Sequence, residues 1–182
     1  MPRIAVIARN DMTPEQARVY DDAAQNKDAP LGGPYLAYIR LPKLFAALQG
    51  VRACIASGPL SLRERQIANL TVARHWNARY PWFAQVRRSR AAGISDAIIN
   101  AINAGQTPEL GDARERTCHA VAHEMLANKG LGDATYEAAE KIMGLTDLIG
   151  LIASVGSFSM TCLTTATFDL RPPAENPIPL KE

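Results

Sequence analysis

Two short stretches of the chain hold side chains that can bind an anion or move a proton. The first is Arg74-His75, at the end of a helical pattern opened by Ser61-Leu62-Arg63-Glu64. An arginine there can clamp a carboxylate through two parallel N–H bonds. A histidine beside it titrates near neutral pH and suits general acid or base work. The plainer alternative is that both cations sit at a helix C-terminus, where positive charge is favoured. The second stretch is Tyr80-Pro81-Trp82-Phe83-Ala84-Gln85. Trp82 and Gln85 are three residues apart and so share a helix face. The indole can wall an apolar pocket and the amide can hold a carbonyl or carboxylate. Alternatively, Trp82 is core and Gln85 a satisfied buried amide.

Two further groups carry less chemistry. His119 and His123 are spaced i, i+4 on one helix, which permits a shared metal ion. Glu115 continues that face but stands about 12 Å from His123 along the axis, too far for all three to meet one ion on a straight helix. The order also differs from the His-Glu-x-x-His of zinc peptidases, so no metal or other cofactor is called for. Arg87, Arg88 and Arg90 form a short basic run after Gln85 that can steer anions or simply be the wet side of a helix.

The elements that must position these groups are well punctuated. Thr13-Pro14-Glu15-Gln16 supplies an N-cap, a proline at the first helical position and a capping-box glutamine. A helix from about Leu41-Pro42 presents Leu44, Phe45, Leu48, Val51 and Ile55. Ser61 to Glu64 is a second capping box, opening a helix to about Asn77 with a stripe of Leu62, Ile67 and Leu70. Ser95-Asp96 and Asp112-Ala113 start two more, with Gly105 and Gly130 as stops; Asp133 and Thr146 start the last two, the first stopped by Gly144 and the second running to about Phe168. No alternating strand pattern of useful length occurs. The tail from Arg171-Pro172-Pro173 to Pro177-Ile178-Pro179 is proline-rich and reads as an extended arm on the body or on a neighbouring subunit. The expectation is an all-α fold of about seven or eight helices.

Composition narrows the function classes. Twenty basic residues nearly balance eighteen acidic ones, for a net charge of +2, so no nucleic-acid partner is expected. Three scattered cysteines, Cys54, Cys118 and Cys162, fit thiols in a reducing cytoplasm better than a disulfide framework. Leu145 to Leu163 is greasy but broken by Asp147 and by Ser, Thr and Gly residues, so no membrane partner is expected either.

The order and spacing of Gly33-Pro34, Leu41-Pro42, Leu60 to Arg65, Val72 to His75, Tyr80, Trp82, Ala92-Gly93-Ile94-Ser95 and Gly144 to Ile149 resemble the carboxymuconolactone decarboxylase-like family, which includes the AhpD-type alkylhydroperoxidases. The resemblance runs from about Gly32 to Pro173. It implies an AhpD-like helical domain at 31–170, preceded by an N-terminal segment and first helix at 1–30 and followed by an arm at 171–182, all in one structural domain. It also implies a homo-oligomer, trimer or hexamer.

In that family the tyrosine is followed by a glutamate, a tryptophan and, three residues later, a histidine. Here Pro81 stands at the glutamate position and Gln85 at the histidine position. The hydroperoxidase branch needs a Cys-x-x-Cys pair and a histidine, and its positions hold Ala78, Pro81 and Gln85. None of these supplies a thiolate or a proton shuttle. The resemblance therefore implies a lyase of the decarboxylase kind with a divergent site, acting on a small anionic lactone or aromatic-derived carboxylate. His75 and Gln85 are its candidate catalytic groups, and Arg74 and Trp82 its candidate substrate-binding groups. The alternative is a non-catalytic relative that binds a ligand or serves as an oligomeric interaction partner.

Overall fold

The computed structural model describes residues 2–25, 32–172 and 176–181. The domain boundary expected at 30–31 and the end of the family resemblance at Pro173 lie outside them. Among the described residues the regular elements are a 3-10 turn at Arg9–Asp11 and nine α-helices: α1 (Pro14–Gln25), α2 (Tyr35–Tyr38), α3 (Pro42–Ala56), α4 (Leu62–His75), α5 (Arg79–Ala91), α6 (Asp96–Asn103), α7 (Ala113–Asn128), α8 (Asp133–Met143) and α9 (Leu145–Thr167). The fold is all-α, as expected. The added helix is the single turn α2, too short to leave a periodic signal.

Helix α4 is the axis of the molecule and packs against α5, α6, α7 and α9. Gln66 to Ala68 and Leu70 to Ala73 are all buried, so the helix has no wet side rather than the single apolar stripe expected. Leu62, assigned to that stripe, is instead exposed, because it precedes the point where neighbours close around the helix. Burying Ile67, Leu70 and Val72 contributes about 1.5–3 kcal/mol apiece. Helix α3 turns Phe45 inward and leaves Leu44 and Val51 exposed. A smaller apolar cluster of Val19, Ala23, Tyr35, Ile39 and Phe45 joins α1, α2 and α3.

The caps behave largely as the sequence indicates. Thr13 and Gln16 exchange reciprocal hydrogen bonds at α1, Ser61 and Glu64 do so at α4, and Asp112 accepts from the amides of Arg114 and Glu115 at α7. One cap differs: α7 ends on Lys129 in the left-handed region (φ 64°), not on Gly130. Helix α9 is long and apolar enough, by length and composition, to cross a membrane. Here its inner side packs against α3, α4, α5, α7 and α8, while Leu145, Ile149, Ile152, Met160 and Leu163 are exposed.

An ion cluster locks the start of α4. Arg114 Nε donates to Glu64 at 2.6 Å and its Nη2 donates to Asp147 at 2.8 Å, joining α4, α7 and α9. Beside it Arg63 binds Glu115 through Nε at 2.6 Å and Nη2 at 3.2 Å, and donates to the Gly93 carbonyl at 2.6 Å. Glu64 is only 5% exposed, so removing it costs both the cap and a buried partner of Arg114. Glu64→Ala should lower stability by about 3 kcal/mol in urea unfolding, against about 1 kcal/mol for Asp147→Ala at the cluster's wetter edge. Equal losses would show that Glu64 has no special place in the lock.

Candidate functional site

The C-terminal turn of α4 opens into a cleft of about 220 Å³ between α4, the α6–α7 connection and α7. Arg74 and His75 line it from α4, Gln106 and Thr107 from the connection, and His119 and His123 from α7. All three histidines of the chain therefore face one space. The sequence placed His75 apart from the other two; the packing of α4 along α7 brings them together. A neighbouring cleft of about 500 Å³ shares Thr107, His119 and His123. Its Arg116 donates to the Leu110 and Gly111 carbonyls, and its Glu124 accepts from Gly132 N at 2.7 Å.

Arg74 is set rather than loose. Its Nε donates at 2.7 Å to the carbonyl of Asn103, the last residue of α6. The cation thus caps a helix C-terminus, as the plainer reading has it, but that of α6 rather than of its own helix. No partner of its two Nη atoms occurs among the described residues, which leaves the fork side of the guanidinium for a ligand. The His75 ring stands edge-on to Trp76 at 4.9 Å. Burial, and secondarily nearby His123, lower the His75 pKa, so the imidazole is neutral at pH 7.

His119 and His123 stack with ring centroids 6.0 Å apart. Glu115, which continues their face in the sequence, is taken by Arg63. Among the described residues no three His, Cys, Asp or Glu side chains are grouped to hold a metal ion.

The motif stretch lies elsewhere. Trp82 is 0% exposed, and its Nε1 donates at 2.8 Å to the carbonyl of Ile178 in the C-terminal arm. Gln85 is buried on the same helix, and its Oε1 has no partner among the described residues. Neither residue lines the cleft of Arg74 and His75. Tyr80 is covered by Gly32-Gly33, where a Cβ on Gly33 (φ 61°) would collide with the phenol ring. Pro81 falls in the first turn of α5, where the N–H it lacks would have had no helical partner. That is why a proline is tolerated at this position without breaking the helix.

The arginine run is also divided. Arg90 forms a two-pronged pair with Asp96 at 2.8 Å, and Arg87 lies over the Phe83 ring at 5.8 Å. Cys118 and Cys162 are buried and their thiols are pushed up by burial, Cys118 to about 12; Cys54 is exposed.

No family model matches the chain, and no curated protein does. Two solved structures superpose over almost its whole length. One is an uncharacterized peroxidase-related protein from Ralstonia eutropha JMP134, described as an alkylhydroperoxidase AhpD core (TM-score 0.77, 17% identity, 98% of this chain and 97% of that one). The other is an uncharacterized peroxidase-related protein from Silicibacter sp. TM1040 (TM-score 0.78, 19% identity, 99% and 96%). The fold is AhpD-like. At this identity the likeness is one of fold, and the site must be argued from its own side chains.

Sequence reasoning missed Asn103, which holds Arg74 through its carbonyl. A polar residue near the end of a short amphipathic helix gives no signal of such a role. For the histidines a quantitative consequence follows. Burial, and next His123, push His119 down to about 4, whereas the unfolded chain returns it to about 6.5. Between those values the unfolded chain binds the extra proton, so stability is full above pH 6.5 and falls as the solution is acidified towards pH 4. His75 shifts the same way. His119→Gln should remove about 2 kcal/mol of that loss, read from urea midpoints at pH 7 and pH 4.5. An unchanged pH dependence in the variant would show that His119 titrates normally.

Proposed function

We propose that this protein is a carboxymuconolactone decarboxylase-like enzyme whose site has moved to the cleft at the end of α4, where it acts on a small anionic lactone or aromatic-derived carboxylate. The supporting observation is the meeting of a fixed arginine and a neutral histidine in one cleft. With Nε held by Asn103, the guanidinium presents its Nη edge to a carboxylate in two-pronged geometry. Neutral His75 can accept a proton from the bound molecule, and the imidazolium so formed can return one. Loss of carbon dioxide from a lactone leaves a carbon that must be reprotonated, which is work for such a group. His119 and His123 form the opposite wall, and burial holds the His119 imidazole neutral.

Thiol peroxide reduction has no nucleophile at the motif, where Ala78 and Pro81 stand. The buried thiols carry raised pKa values, the reverse of what an attacking thiolate needs. The reduced, widely spaced cysteines favour the cytoplasm as the compartment.

The second reading is a non-catalytic ligand-binding or interaction relative. It draws on the closure of the motif region: Trp82 fully buried under the arm, Tyr80 under Gly32-Gly33, and Pro81 and Gln85 in place of proton-handling groups. Under either reading the exposed apolar residues along α9 support a homo-oligomer, a trimer or hexamer, which light scattering of a dilute sample would reduce to a monomer if the idea is wrong.

Thermal unfolding against a panel of small lactones and aromatic carboxylates separates the two. A true ligand at a hundred times its Kd adds about 2.7 kcal/mol of stability. Arg74→Ala should abolish the shift, and His75→Ala should keep it while lowering turnover about a hundredfold or more. Binding without turnover in the unaltered protein selects the second reading.

A further inference from the structure

The C-terminal arm makes contacts that an idle tail would not make. Ile178 is 7% exposed and belongs to the main core, with Leu180 packed against it. Its carbonyl accepts from the Trp82 indole at 2.8 Å. One residue on, the Pro179 carbonyl accepts from Asn103 Nδ2 at 2.8 Å, and Lys181 N donates to Asn103 Oδ1 at 2.9 Å. The Asn103 side chain therefore reads the arm as a paired backbone would, with one donor and one acceptor. It is 1% exposed, so both its polar atoms need those partners.

The same residue reaches a cleft-lining side chain through its other end. The Asn103 carbonyl is an unpaired terminal group of α6, and it accepts the Arg74 Nε. One residue thus joins the arm to the arginine: amide to arm, carbonyl to cation. The joint is one residue long: only the Asn103 Cα and Cβ separate its backbone carbonyl from its side-chain amide. Without the arm, Asn103 loses both side-chain partners, and the last turn of α6, which carries the carbonyl that holds Arg74, is no longer pinned from that side.

We propose that the arm is a strap that sets the anion-binding arginine, with Asn103 as the positioning residue through which it acts. This rests on the reading of Arg74 as the group that holds the ligand's carboxylate. Pro177 and Pro179 flank Ile178 and each fixes one backbone angle, which lowers the entropy lost on docking. Docking is open to competition by anything that takes the Ile178 socket or the Asn103 amide. Bound arm means a set Arg74 and a competent cleft; released arm means a mobile guanidinium and weaker anion binding.

The test uses the full-length protein and two arm variants. Ile178→Ala weakens the anchor in the core. Lys181→Pro removes the N–H given to Asn103 Oδ1 without cutting back a buried side chain, so it remains informative if the first variant folds poorly. The readout is hydrogen exchange of the Arg74 Nε–H in nitrogen-15 spectra, assigned by its loss in Arg74→Lys. A second readout is the Kd for benzoate by calorimetry. The strap predicts at least tenfold faster Nε–H exchange in both variants and a three- to tenfold weaker Kd. Exchange within twofold of the unaltered protein overturns it, as does faster exchange with an unchanged Kd. If benzoate and the wider carboxylate panel fail to bind even the unaltered protein, the proposed function falls, and the exchange rate alone decides the strap.

Discussion

Glu64 performs two tasks at one point: it closes the capping box that starts α4, and it receives the Arg114 guanidinium that ties α7 and, through Asp147, α9 to the same spot. The rest of the structure depends on that lock because it joins three helices at one point, whereas the other polar ties of α4, Arg65 to the Ala56 carbonyl and Arg74 to the Asn103 carbonyl, each reach one neighbouring segment. Beyond its first turn it is enclosed by apolar neighbours that grip without direction. Burial alone would let the helix slide or rotate among near-equivalent packings; a charged hydrogen-bonded knot at one end fixes the register. Once the start is fixed, the far end projects Arg74 and His75 to one place, and the cleft forms where α7 presents its histidines.

Moving the polar chemistry to the end of a buried helix has a physical logic. The interior turns of α4 cannot afford a free guanidinium or imidazole, since an unpaired buried charge is too unfavourable. At the last turn the same residues meet the C-terminus of α6, whose unpaired carbonyl gives Arg74 a partner, and a water-accessible cleft. The motif region of α5 shows the opposite outcome. There Pro81 and Gln85 carry no charge, the Trp82 indole is bound by a backbone carbonyl, and all three side chains are buried. A face without charged side chains can be closed and packed, because no ion in it has to be solvated.

Much of the fold was legible in the residues. Capping boxes at Thr13 and Ser61, the caps at Ser95 and Asp112, and the glycine stops at Gly105 and Gly144 are local patterns, and local hydrogen bonds realise them in the structure. The misreadings differ in cause. Leu62 joins no stripe because it precedes the point where neighbours close around α4, α2 is too short to leave a period, and Lys129 takes the left-handed cap in place of the glycine beside it.

The sequence by itself determined an all-α chain with its helices in order and a short set of candidate residues. Such features follow from backbone geometry and side-chain chemistry within a few residues of one another. Tertiary structure alone decided which candidates meet. It put His75 in one cleft with His119 and His123, left Trp82 and Gln85 outside it, and joined the C-terminal arm to Arg74 through Asn103. Those choices depend on how α4, α6 and α7 pack, and packing is a property of surfaces brought together across the whole chain rather than of any stretch within it.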